Sequence, residues 1–259
     1  MSNQFVMPIP FGWFCIGYSD ELAVGDVRNI HYFGRDMVLF RTESGKVGLT
    51  DPACPHLGAH LGHGGTVQGE SIRCPFHHWQ YDTQGVITDI PYAKRIPPKV
   101  AGKPCLKTYP TCEKNAVIWA WYHPEDAAPD HEVIALEEID NPEWVEQIRF
   151  QWTFDSCPQE IAENGVDKTV EVRFAYTHEN YPQDSFKHQA VEAAIALTNG
   201  QSGLEGDIPI WHHKFHLRNP ILCDGDGPVM RFRKYFSQFY VDGPYPGTDN
   251  ISTTLEAVS

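Results

Sequence analysis

Two short stretches of this 259-residue chain carry metal-binding residue types at fixed spacing. The first is Cys54-Pro-His56; after 17 intervening residues comes the second, Cys74-Pro-Phe-His77. Two thiolates and two imidazoles on two loops can hold a [2Fe-2S] cluster, both cysteines on one iron and both histidines on the other. Proline after each cysteine stiffens its loop, and Gly58, Gly62, Gly64 and Gly65 let backbone N–H groups approach the cluster sulfurs. Zinc is the competing metal, but zinc sites usually run Cys-Cys then His-His, whereas here each pair is Cys-His. His60, His63 and His78 lie in the same loops off the ligand spacing, which suits supporting or surface roles. Trp79 and Tyr81 read as a packed lid, the tyrosine hydroxyl being a candidate hydrogen-bond donor.

Loops of this kind need stiff neighbours, and the first half of the chain supplies strands. Val38–Phe40, Val47–Leu49 and Val117–Trp121 are β-branched, aliphatic and aromatic, and turn residues such as Asp82–Gly85 separate the runs. No helical stripe precedes residue 135. The Pro-rich, acidic stretch His123–Glu132 marks a change of composition. The expected organisation is an all-β domain at 1–125, a linker at 126–138 and a second domain at 139–259. In that second part Ile148–Phe154 and the alternating Thr169–Tyr176 predict strands, with Val170, Val172, Phe174 and Tyr176 on one face. Pro158–Val166, capped by Ser156, and His188–Leu197 predict helices. Val229–Tyr240 fits either helix or strand.

Composition narrows the function. Asp and Glu exceed Lys and Arg by 34 to 20, a net charge of -14, which argues against binding nucleic acid or an anionic membrane. No apolar run reaches membrane-spanning length, and the amino terminus lacks the basic flank of a signal peptide, so a soluble, cytoplasmic protein is expected. Cys15, Cys105, Cys112, Cys157 and Cys223 are scattered without ligand spacing and read as small buried residues or idle thiols.

The segment Cys54–Tyr92 resembles the cluster-binding module of the Rieske non-haem iron oxygenases, most of all the ketosteroid hydroxylase and cholesterol desaturase branch. Respiratory Rieske proteins carry an extra cysteine in each loop; here those positions hold Ala59 and Phe76. Gly206–Phe215 and Gly225–Tyr240 are similar to closing segments of the same group. The resemblance implies an α+β chain, a Rieske domain followed by a truncated, helix-grip-like oxygenase domain. It also implies electrons from a reductase or ferredoxin, transfer between subunits of a ring-shaped trimer, and hydroxylation or desaturation of an apolar, steroid-like ring.

One expected part is missing. Such oxygenases hold a second iron with two histidines and a carboxylate, the histidines coming from a helix that reads roughly Asn-x-x-Asp-x-x-His-x-x-x-x-His. Glu160–Asp167 begins that motif, but the histidine positions hold Val170 and Ala175. The chain reads as jumping from the start of that helix to a later strand, so the mononuclear iron is expected to be absent from it. Asp207 matches the carboxylate ligand but reads, without histidines, as a helix-flanking acid. Asp167 matches an acid that bridges to a cluster histidine of the next subunit, or is a plain turn acid. His212 and His216, near Asp207 and Glu205, and His178 and His188 are the histidines from which a displaced site could be rebuilt; His213 falls on a non-ligand position.

Three functions are consistent with these residues. The first is a Rieske oxygenase-type subunit that passes electrons to iron on a triad-bearing partner in a mixed ring. The second is a complete oxygenase with displaced ligands. The third is an electron carrier or scaffold protein with no catalytic part.

Overall fold

Turn residues recurring every few positions cut the first half of the chain into ten short strands. The computed structural model describes residues 8–155, 169–200, 203–211, 220–223 and 227–241. It divides the chain into two units, Gly12–Leu136 and Met1–Phe11 with Glu137–Ser259.

The first unit contains three antiparallel sheets. Strands β1 (Gly12–Tyr18), β10 (Val117–Tyr122) and β9 (Thr111–Lys114) form one, in that order. The second is the meander β2 (Val27–Tyr32), β3 (Arg35–Arg41) and β4 (Val47–Thr50). The third is the meander β5 (Thr66–Gln68), β6 (Ser71–Arg73), β7 (Gln80–Asp82) and β8 (Ile87–Asp89). Two-residue turns set the register of two hairpins: Phe33-Gly34 joins Tyr32 to Arg35, and Asn115-Ala116 joins Lys114 to Val117. All four turn residues have positive φ, the handedness that follows strand twist. Residues 123–136 lack regular structure and lie along this unit. The indoles of Trp121 and Trp13 donate to the carbonyls of Ala127 and His131 (2.8 and 2.9 Å).

The alternation in β3 builds two cores. Val38 and Phe40 join Cys54, Leu61, Ile72, Cys74, Tyr81 and Ile87; Met37 and Leu39 join Ile16, Leu22, Leu49, Ile118 and Ala120. Phe40 lies on Gly48, where a Cβ would stand 2.4 Å from its ring. Arg41, at the end of β3, is buried and donates to the carbonyls of Ser19, Leu22 and Gly45 and to both carboxylate oxygens of Glu113 on β9 (2.7 and 2.9 Å).

The second unit has the strands and first helix that alternation and composition predict. β11 (Ile148–Asp155) pairs antiparallel with β12 (Thr169–Tyr176) along its whole length, from Ile148↔Tyr176 to Asp155↔Thr169. One face carries rings: Phe150 packs edge-on against Tyr176 (5.9 Å) and Trp152 against Phe174 (6.0 Å). On the other, Arg173 pairs with Glu171 at 2.5 Å. Helix α1 (Phe186–Asn199) starts at Ser185, whose hydroxyl accepts from the His188 amide. Helix α2 (Leu204–Trp211) contains Pro209, and α3 (Val229–Phe236) runs into a 3-10 turn at Ser237–Phe239. The block that fitted helix or strand is therefore helical, with Phe232 and Phe236 one turn apart (5.6 Å). The helix expected at Pro158–Val166 lies outside the described residues. An all-β unit followed by an α+β unit is the expected fold class. Among the described residues, no helix is long and apolar enough to cross a membrane.

Candidate metal centre

The two ligand-bearing stretches fold into the same turn. Cys54 N–H donates to the Ala59 carbonyl and Cys74 N–H to the Trp79 carbonyl, each five residues on (both 2.8 Å). Gly58 and His78 then donate back to the carbonyls of Cys54 and Cys74 (2.9 and 3.2 Å), each from a left-handed backbone with φ of 75° and 61°. Glycine adopts that conformation without strain; His78 does so at some cost. The second loop is clamped by the β6–β7 pairing of Arg73 with Gln80. The first is braced by the Leu61 amide on the Pro52 carbonyl (2.8 Å) and by Asn29 of β2, whose side chain donates to the Gly62 carbonyl (3.1 Å). Gly65 is required by space, since a Cβ there would meet the Leu61 carbonyl oxygen at 2.0 Å.

These turns bring the four expected ligands together and sort them by type. Cys54 and Cys74 are core residues, each 2% exposed. The imidazoles of His56 and His77 lie further out and meet edge to face, ring centroids 4.8 Å apart. Burial pushes the Cys74 thiol up and the adjacent Cys54 sulfur adds to this, while the amides of Phe76 and His77 pull it down. Tyr81, fully buried, places its hydroxyl 3.1 Å from Cys54 Sγ. Burial raises the pKa of that hydroxyl and the contact with Cys54 raises it further, so toward a thiolate Tyr81 is the donor.

The donor set fits a two-iron cluster. His77 Nδ1 is buried without a hydrogen-bond partner, an orphan that a metal would satisfy. The buried thiols and the outer imidazoles are paired by type, as two separate irons require.

The neighbours take distinct positions. Trp79 is a lid on one histidine: its indole stacks flat on the His56 ring (4.5 Å, 9°). Its Nε1 donates to the hydroxyl of Tyr92 at 2.8 Å. Tyr92 carries no spacing signal and was not singled out in the sequence. His60 and His63 pack against each other (4.4 Å), and burial, followed by the neighbouring His63, pushes the His60 pKa down. Cys105, its thiol pushed up by burial and then by Cys54, borders the same core.

In the second unit, the positions where two histidines were sought belong to strand β12, where Val170 pairs with Phe154 and Ala175, exposed, with Arg149. Asp207 is exposed in the first turn of α2, where an acid suits the helix dipole. His178, 8% exposed, and His188 face each other edge-on at 5.8 Å; His178 Nδ1 contacts the Glu179 carbonyl (2.7 Å) and His188 Nε2 the Glu192 carboxylate (3.2 Å). Asp167, His212, His213 and His216 lie outside the described residues.

Comparison with known proteins agrees with this layout. The Rieske [2Fe-2S] domain model matches residues 12–110, and the 3-ketosteroid 9alpha-hydroxylase C-terminal domain model matches 120–196 and 168–240. The oxygenase component of a 3-ketosteroid-9-alpha-monooxygenase from Rhodococcus rhodochrous is 26% identical over 322 positions, covering 89% of this chain and 84% of that protein. That alignment is at least 63 positions longer than the 259-residue chain, so the chain lacks internal segments that the relative has. Cholesterol 7-desaturase nvd of Xenopus laevis is 39% identical over 168 residues, 64% of this chain and 36% of that protein. Among solved structures, the NdmA QL mutant of Pseudomonas putida CBB5 with theobromine shares the fold at a TM-score of 0.62 and 14% identity, covering 86% of this chain and 88% of that one. With one model on the cluster-binding unit and the other on most of the remainder, the chain belongs to the Rieske oxygenase family.

Proposed function

We propose that this chain is the [2Fe-2S]-bearing, electron-delivering component of an oxygenase system whose mononuclear iron resides on a partner subunit. Cys54 and Cys74 would hold one iron from the core side, and His56 and His77 the other from the outer side. Bound there, a [2Fe-2S] cluster supplies one-electron transfer at the raised potential of mixed thiolate and imidazole ligation. The chain's own residues keep water from the sulfur side through Val38, Phe40, Leu61 and Ile72. They also give electrons a short way out, since His77 abuts Phe76, which is 60% exposed. The donor is a reductase or ferredoxin, and the acidic surface favours a basic docking face. The chemistry served is hydroxylation of an apolar, steroid-like ring, a reading supported by the names of the relatives, and the assembly a trimeric or mixed ring.

The observation that carries this reading is the contrast between the halves: a complete ligand set in the first, and Val170 and Ala175 on a β-strand where two histidines would be needed in the second. The test is iron and acid-labile sulfide per chain after anaerobic purification with ferrous iron. Two of each are expected, and His77→Ala should lose the cluster's absorption and loosen both loops. A third, sulfide-free iron would sink the assignment of the catalytic iron to a partner. It would favour the second reading, a self-contained oxygenase with displaced ligands. The observation behind that reading is the His178–His188 pair, each ring having one nitrogen placed by an acceptor as metal-binding histidines do.

A further inference from the structure

Four aromatic side chains at the outer edge of the candidate centre form a closed circuit. His56 meets His77 edge to face at 4.8 Å, and His77 meets Tyr92 edge to face at 6.3 Å. Tyr92 accepts a 2.8 Å hydrogen bond from the indole of Trp79, and Trp79 stacks on His56 at 4.5 Å and 9°. Three members come from the two ligand loops. The fourth, Tyr92, comes from the segment that follows β8 and is 61% exposed. An exposed tyrosine is normally a mobile rotor, but this one has its ring against one imidazole and its hydroxyl on the indole covering the other.

An imidazole bound through one nitrogen can still rotate about the metal–nitrogen axis, and its plane sets how it shares electrons with the iron. The plane is fixed by what touches the ring. For His56 that contact is a large flat surface, and the surface is itself oriented by one hydrogen bond, since indole N–H is a directional donor with no other role here. We infer that Tyr92 is a positioning residue for the cluster's imidazole pair, acting on His56 through Trp79 and on His77 by direct ring contact. The inference rests on the proposed ligand set and adds a residue outside both ligand loops. Because Tyr92 is exposed, a partner covering it would also press on the geometry of the iron it serves.

Tyr92→Phe keeps the ring and removes only the acceptor; Trp79→Phe removes the donor and keeps a smaller stacking face. The holoprotein of each variant, and of the double variant, is reduced and examined by electron paramagnetic resonance, by the nitrogen couplings of the two imidazoles, and by redox titration at one fixed pH. Iron and sulfide content are measured on the same samples. Each single variant is expected to keep the wild-type iron and sulfide while shifting the g-values, one set of nitrogen couplings and the midpoint potential. The double variant should shift them no further than the larger single change, because both substitutions break the same bond. Unchanged spectra and potential in Tyr92→Phe would overturn the inference, as would simple addition of the two shifts. Wild-type protein without two irons and two sulfides would instead overturn the cluster assignment on which the inference rests.

Discussion

At the residue scale, the hydroxyl of Tyr81 has the most defined task. It lies in the core, 0% exposed, with Cys54 Sγ at 3.1 Å. A donor to a cluster sulfur favours the reduced, more negative state. Tyr81→Phe is therefore expected to lower the midpoint potential with iron and sulfide content unchanged, at a stability cost of about 1 kcal/mol for the lost buried hydrogen bond. An unchanged potential in redox titration would show that the hydroxyl does not address the sulfur. Residues of this kind were legible where short spacing carries the chemistry: Cys54, His56, Cys74, His77 and Trp79 sit on two tight turns, and Tyr81 follows in β7. Tyr92 was not, since its role exists only once the segment after β8 folds back onto the indole. His78 shows a related limit, because nothing in its side chain announces a left-handed backbone, whereas Gly58 at the equivalent place does.

At the scale of elements, residue types and alternation placed β11 and β12, and helix-forming composition placed α1, which runs two residues beyond His188–Leu197 at each end. Helix α2 escaped because Pro209 argues against a helix, and eight residues leave little periodicity to weigh against it. The meeting of two sheets also fixes an ion pair that separate segments could not reveal: Arg41 of β3, with three backbone carbonyls as acceptors, grips the carboxylate of Glu113 on β9. Burial pushes the Glu113 pKa up, but hydrogen bonds from Arg41 and Ser19 outweigh it and leave the carboxyl below its ordinary value. A depressed native pKa contributes stability that is present above the ordinary carboxylate range and lost as pH falls through the native value. Glu113→Gln is expected to cost about 2 kcal/mol at neutral pH. Denaturant titrations at a series of pH values should show a shallower acid decline in the variant than in the parent. Parallel declines would assign the pH dependence to other groups.

At the scale of the whole molecule, the sequence divides the chemistry unevenly and so does the fold. The first unit has the candidate ligands, two braced loops and two cores. Among the described residues the second unit has a two-stranded pair and three helices, and the alignment of the whole chain with its Rhodococcus rhodochrous relative carries at least 63 positions with no residue here. The departure was readable at Val170 and Ala175, which stand where the resembling family's pattern has histidine, and the alternation around them belongs to a strand. Partner and substrate were not readable, because neither follows from residue type and spacing alone.

The separate cores of the first unit bear on how the protein is made. One core contains no cysteine and is built by Ile16, Leu22, Met37, Leu39, Leu49, Tyr109 and Ile118; the other includes Cys54 and Cys74 among its buried residues. Folding of the first needs nothing from outside, whereas the second is completed by inorganic sulfide and iron. Newly synthesised chains short of either should therefore stall with the β1–β10–β9 side in place and two thiols open to oxidants. Hydrogen exchange on chelator-treated protein is expected to show protection kept in β1 and β10 and lost in β6 and β7. Uniform loss would mean that the unit matures in a single step. Under the staged outcome, the supply of iron and sulfide sets the lifetime of a vulnerable intermediate, and a shortage is felt as thiol damage before it is felt as misfolding.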